Sequence, residues 1–164
     1  MRRFKQLNKR LSAIAELVRE GATVCDVGTD HAFLPCHLAR SGKYGKIYAS
    51  DLNPNPLERA RAQIKHQGVD VVLIQSNGLE NIPPCEKSQD CDVVIAGMGG
   101  ELIVEIIENM PTSFRNLNLR LILQPMTRQE DLRQRLNNSG YEIILEKVIF
   151  ERGRNFTIIY AKCC

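Results

Sequence analysis

Leu7, Leu11, Ile14, Ala15 and Val18 recur at spacings of four, three, one and three along the start of the chain. That is the period of an amphipathic helix, and it predicts one over residues 5–20, ended by Gly21. The period then changes. Thr23 to Val27 reads as a short strand closed by Gly28. Residues 33–41 read as a helix, with Pro35 tolerated in its first turn. Lys46 to Ser50 is a second strand closed by Asp51, and residues 56–67 are a helix stopped by Gly68. Val69 to Gln75 and Asp92 to Ala96 are strands either side of a polar loop holding Pro83 and Pro84. Glu101 to Met110 is a helix, Leu119 to Gln124 a strand, and Arg128 to Ser139 a helix closed by Gly140. Glu142 to Phe150 and Phe156 to Lys162 are strands joined by a connection short enough for an antiparallel hairpin.

Strand and helix alternate, and near-continuous apolar strands such as Val93-Val94-Ile95 suit a sheet covered on both faces. The predicted architecture is α/β: a doubly wound, mostly parallel, seven-stranded Rossmann-like sheet with an antiparallel C-terminal hairpin. At 164 residues the chain is one domain, residues 1–164. It divides into a basic N-terminal helix over 1–20 and a core over 23–164.

Charge adds one feature. There are 22 Lys and Arg against 19 Asp and Glu, a net +3. Arg2, Arg3, Lys5, Lys9 and Arg10 put +5 on the first ten residues, so the rest of the chain sums to −2. A basic N-terminal cluster predicts an anionic partner, nucleic acid first. No apolar run approaches the roughly 20 residues of a membrane span, and Ser12 and Glu16 interrupt any signal-peptide core. A cytoplasmic protein with reduced cysteines, no membrane association and no bound metal is expected, and a monomer. The six cysteines and three histidines show no metal-ligand spacing.

In open α/β sheets ligands bind beyond the carboxyl ends of the strands. Those ends carry Asp26-Val27-Gly28-Thr29-Asp30-His31-Ala32, Asp51-Leu52-Asn53, Asn77-Gly78, Gly97-Met98-Gly99-Gly100 and Gln124-Pro125. Asp51 lies 23 residues beyond Gly28, the separation at which a carboxylate accepts the hydroxyls of a ribose. Asp30 stands where a dinucleotide fold has the glycine that admits a pyrophosphate, and its charge would repel one. Asp26 and Asp30 together suit a cofactor with a ribose, no phosphates and positive charge. S-adenosylmethionine therefore ranks above NAD. Taken alone, Asp30 has a second reading as a helix cap, and the glycines of 97–100 one as a simple strand-to-helix turn. Read functionally, those glycines let a flat base approach.

These segments, together with Ala49-Ser-Asp-Leu-Asn53, Leu123-Gln-Pro-Met126 and Glu151-Arg-Gly-Arg-Asn-Phe156, resemble the bacterial tRNA (adenine(22)-N1)-methyltransferase, or TrmK, family. The resemblance implies methyl transfer from S-adenosylmethionine to N1 of an adenine in tRNA. It implies cofactor contacts from Asp26, Gly28, Asp51, Asn77 and Gly78, and places Met98 to Gly100, Gln124 and Pro125 at the base. Thr29, Asp30, His31, Leu52, Asn53 and Gly97 complete the expected cofactor set. Family members usually continue into a C-terminal helical extension implicated in holding tRNA, whereas this sequence stops at Cys164.

Adenine N1 already carries an in-plane lone pair, so alignment is the catalytic task. A carboxylate near the ring would stabilise the growing positive charge. Asp30 is the first candidate, backed by the Gly97 to Gly100 turn, with His31 second. Phe33 and Tyr141 are candidate stacking rings. Alternative readings are a methyltransferase on another substrate, a non-catalytic tRNA-binding module and, last, an NAD enzyme.

Overall fold

The computed structural model describes residues 5–86, 89–115 and 118–164; Arg2 and Arg3 lie outside the described residues. Strands β1 (Thr23–Val27), β2 (Ile47–Asp51), β3 (Val72–Gln75), β4 (Asp90–Met98), β5 (Asn118–Pro125), β6 (Tyr141–Glu151) and β7 (Arg154–Cys163) form one sheet in the order β3-β2-β1-β4-β5-β7-β6. The first five strands run parallel, while β7 is antiparallel to both β5 and β6. The doubly wound sheet and its closing hairpin are therefore as expected. Because β6 runs in the sense of β5, the hairpin tip at Arg152-Gly153 lies on the edge where the parallel strands end.

Alternate residues of each central strand feed opposite cores. Val24, Val94, Ile122 and Ile158 pack against Ile14 and Val18 of the N-terminal segment and Leu34 and Leu38 of α2 (Phe33–Ser41). Cys25, Val93, Ile95, Leu121 and Leu123 pack against Ile103 and Ile107 of α4 (Gly100–Glu108) and Leu132 and Leu136 of α6 (Gln129–Asn138). Burial on both faces explains the unbroken apolar runs. The remaining helices are α1 (Lys9–Leu17), α3 (Pro54–Gln67) and the short α5 (Thr112–Arg115), which the apolar pattern does not announce.

Three expectations need correction. The first helix starts at Lys9 rather than residue 5, because the Asn8 side chain accepts the Leu11 N–H at 2.8 Å and caps it there. Lys5 to Asn8 precede it as non-helical chain. The Thr23 and Lys46 strand starts hold to within a residue, but the third strand begins at Val72 rather than Val69. Tyr141 is buried in the core at the beginning of β6, on the edge opposite the strand carboxyl ends, so it offers no ring to a ligand there.

Behind α1 the chain is pinned by Arg19. Its Nε and Nη2 donate to Asp92 Oδ1 at 2.8 and 2.6 Å, and its backbone N–H donates to Asp92 Oδ2 at 2.7 Å. The same guanidinium reaches the Asn118 carbonyl at 2.7 Å and Asp90 at 2.9 Å. One side chain thus ties the α1–β1 connection to the starts of β4 and β5.

Candidate active site

After β1 the chain turns through Gly28 (φ +75°), Asp30 (φ +49°) and Ala32 (φ +55°). Left-handed backbone suits glycine and is tolerated by aspartate, but it disfavours alanine, so conformational strain is concentrated in this turn. The Ser50 carbonyl at the end of β2 accepts both the Gly28 N–H at 2.8 Å and the Thr29 N–H at 2.9 Å, which holds the turn open. A Cβ on Gly28 would stand 2.1 Å from the Met98 methyl, so Met98 of the fourth-strand turn lies directly over the glycine.

The turn forms one wall of a cleft of about 340 Å³ lined by Asp26, Gly28, Thr29, Asp30, His31 and Phe33, with Gly97, Asn8 and Arg10 opposite. A larger groove of about 540 Å³ lies between α4 and α6. Only the smaller cleft unites the strand ends of β1 and β4, where this fold places its chemistry.

Asp26 is buried at its base. Burial pushes its carboxyl up to about 6, the charge of Asp51 on the adjacent strand adds to the rise, and the nearby Thr29 hydroxyl draws it part of the way back. That hydroxyl makes no well-aligned hydrogen bond, and neither does the buried hydroxyl of Ser50. Asp51 uses one carboxylate oxygen to accept the Asn53 N–H at 3.1 Å. Leu52 beside it is 56% exposed, an apolar side chain facing outward next to an acid.

Arg10 is the main surprise. Its place in the basic N-terminal cluster predicts an outward side chain free to meet an anionic partner. Instead the Arg10 guanidinium donates to Gln124 Oε1, lies 5.5 Å from the centre of the Phe156 ring and lines the cleft. Burial lowers its pKa, partly offset by the charge of Glu151. Arg10 stands four residues before the buried Ile14 and so shares the inward face of α1. Lys5 stays at the mouth, its ammonium 4.6 Å from the Phe33 ring centre, and Phe33 in turn stacks on His31 at 5.1 Å with the planes 10° apart.

Gln124 and Pro125 are corrections of the same kind. Both are buried at the end of β5 rather than displayed on an open surface. Gln124 Oε1 accepts from the Gly97 N–H at 3.1 Å as well as from Arg10, and Nε2 donates to the Pro125 carbonyl at 3.1 Å. Its work is to hold Arg10 and the β4 turn in place. Asp30 projects outward, 57% exposed, where Arg59 of α3 pairs with it at 2.6 Å. Asn77 and Gly78 line a separate shallow groove against α4. The Gly78 left-handed turn (φ +56°) packs against Ile106. Arg59 carries no sequence signal for the site, and Phe156, which closes the Glu151 to Phe156 segment of the resemblance, has no site role assigned there.

The glycines of the β4 turn serve packing. Gly97 has φ +76°, and a Cβ on Gly99 would stand 3.1 Å from Thr127 Oγ1. At Gly100 a Cβ would meet the Thr127 and Arg128 carbonyl oxygens at 2.6 and 2.7 Å, backbone atoms that cannot swing aside. Gly100→Ala is expected to displace the β5–α6 connection at a cost of about 2–3 kcal/mol. Thermal denaturation should show it as a fall of roughly 5–10 °C in the midpoint.

Residues 7–159 match the family model described as a methyltransferase domain. The tRNA (adenine(22)-N(1))-methyltransferase of Bacillus subtilis (strain 168) is 33% identical over 159 residues, 96% of this chain and 65% of that protein. The chain thus spans just under two thirds of that relative's length. Streptococcus pneumoniae Sp1610 in complex with S-adenosyl-L-methionine superposes with a TM-score of 0.87 at 31% identity, covering 96% of this chain and 73% of the other. M. capricolum TrmK in complex with S-adenosyl-homocysteine gives 0.82 at 30% identity, covering 95% and 68%.

Proposed function

Since the chain belongs to the tRNA (adenine(22)-N1)-methyltransferase (TrmK) family, we propose that it methylates N1 of an adenine, at position 22, in tRNA in the cytoplasm. S-adenosylmethionine, when bound, supplies an electrophilic methyl group on a sulfonium.

The observation that carries the cofactor assignment is the charge layout of the cleft. A guanidinium, Arg10, and a buried carboxylate, Asp26, face the same space. That pairing suits an amino-acid tail, with Asp26 taking the ammonium and Arg10 the carboxylate. The unmatched Thr29 hydroxyl provides a further donor. Asp51 at the end of β2 suits the ribose hydroxyls, and the exposed face of Leu52 suits an apolar ring beside them. Gly28 leaves the backbone free to come close. His31, Asn53 and Gly97 remain assigned to cofactor contacts at this cleft, and Asn77 and Gly78, on the neighbouring groove against α4, to the same cofactor.

The adenine N1 lone pair needs no base, so the protein's task is to hold the ring in line with the methyl and to exclude water. The Gly97 to Gly100 turn, braced by Gln124, shapes the floor on which the base rests. N1 lies on the Watson–Crick edge, so the target enters unpaired. The stacked His31 and Phe33 rings stand at the mouth, where an unpaired base would pass. Asp30 stands beside them, held by Arg59, and its carboxylate stabilises the positive charge that develops on the purine.

The test is transfer of labelled methyl groups to unmodified tRNA, mapped by reverse-transcription stops. Asp30→Ala should keep cofactor affinity by calorimetry and lose roughly 100-fold in transfer rate. Unchanged transfer would remove Asp30 from the mechanism. Cofactor binding without any transfer to tRNA would favour a different methyl acceptor.

A further inference from the structure

We propose that the tip of the β6–β7 hairpin, carrying Phe150, Arg152 and Arg154, is a contact surface for tRNA nucleotides flanking the target base. This rests on the reading of tRNA as substrate. Among the described residues of the basic N-terminal cluster, Arg10 is turned into the cleft and Lys5 is seated on Phe33. The hairpin adds further cations on the edge of the sheet that carries the site.

Three observations converge on this tip. The first is its backbone. Arg152 has φ +49° and Gly153 has φ +74°, a two-residue turn with both central residues left-handed. Such turns favour asparagine, aspartate or glycine at the first central position. An arginine there is held against its own preference, an outlier of the kind found where function fixes the residue type.

The second is charge. The Lys9 backbone N–H donates to Glu151 at 2.8 Å, which sets Lys9 beside the strand end that leads into Arg152 and Arg154. Among the described residues none of these three cations is held in an ion pair, and Arg154 lies 5.6 Å from the centre of the Phe156 ring. The nearby acids are already engaged: Glu151 by the Lys9 N–H, and Glu16 by Lys147 at 3.5 Å.

The third is an exposed ring. Phe150 is 64% exposed and Val148 on the same face is 61% exposed, beside a groove of about 430 Å³ between α1 and β6. Cations interleaved with an exposed aromatic match the backbone and the bases of unpaired RNA. Three strand spacings separate β6 from β4, so the patch lies roughly 14 Å across the sheet from the cleft. Arg10 and Phe156 bridge the interval.

The test is binding of unmodified tRNA to the full chain by fluorescence anisotropy across a salt series. Arg152→Asn places a turn-favoured residue at the tip. It should fold at least as stably as the parent while tRNA affinity falls by about 3- to 10-fold and the salt slope shrinks by about one. Phe150→Ala should weaken tRNA binding by about 5-fold or more. Cofactor affinity should stay unchanged in both. Parent-like tRNA affinity in both variants, with the parent protein binding and methylating tRNA, would overturn this proposal alone. So would a parent that sediments as a dimer dispersed by Phe150→Ala, because the patch would then join two copies. A parent that neither binds nor methylates tRNA would overturn the functional reading and this one with it.

Discussion

Asp26→Asn is expected to weaken S-adenosylmethionine binding by roughly 30-fold or more, and at pH 8 to make the cofactor-free protein more stable. Both effects have one origin. The Asp26 carboxyl is buried, and burial pushes it up to about 6 from an ordinary 3.8. Keeping it ionised in the folded protein at pH 8 therefore costs about 2–3 kcal/mol relative to the unfolded chain. Asparagine removes that cost. It also removes the partner proposed for the cofactor's ammonium, and losing one side of a buried charge pair costs at least about 2 kcal/mol of binding.

The pH dependence follows. The folded protein takes up this proton at a higher pH than the unfolded chain, so the contribution of Asp26 to stability is full below the ordinary 3.8 and is lost as pH rises through about 6. Cofactor affinity runs the other way and should fall as pH drops through about 6. Calorimetry and thermal denaturation at pH 5 and pH 8, on parent and variant, separate the two. A variant with parent affinity and a parent pH profile would show that Asp26 does not bind the cofactor.

The largest effect on folding is expected at Asp92→Ala. The Asp92 side chain is fully buried and its partner Arg19 only 12% exposed. Burial pushes the Asp92 carboxyl above its usual range although Arg19 opposes the rise. Truncation leaves the guanidinium enclosed without its carboxylate, which costs about 3–5 kcal/mol. In a domain of this size that is a fall of roughly 10–15 °C in the thermal midpoint. Asp90→Ala is the control. Asp90 meets the same guanidinium at 2.9 Å but is 41% exposed, so its loss should cost less than about 1 kcal/mol. Equal losses from the two variants would mean that burial does not set the strength of this ion pair.

The strand ends show how far the site could be read in advance. Asp26, Gly28 and Asp51 were legible because each follows a short apolar run, and in a parallel sheet every such run ends on one edge. Gly100 was legible as a turn residue, but its reason was not. The carbonyls that exclude a side chain there belong to Thr127 and Arg128, on another connection. The family resemblance is what places Gln124 at the base. Its amide proved to be consumed by Gly97, Arg10 and the Pro125 carbonyl.

Apolar periodicity and turn residues by themselves determined the alternation of strands and helices, the two-faced sheet, the closing hairpin and the strand ends that bear acids and glycines. These are local signals, carried by neighbours within a few residues. Only the tertiary structure decided that Arg10 faces inward, that Asp30 is paired by Arg59, and that Arg152 stands on the same edge as Gly28. Each of those depends on a partner distant in sequence: Gln124 lies 114 residues from Arg10, and Arg59 lies 29 from Asp30. Side-chain partners were set by which strand packs beside which. Charge counted along the chain gives its sum, whereas its placement is a property of the fold.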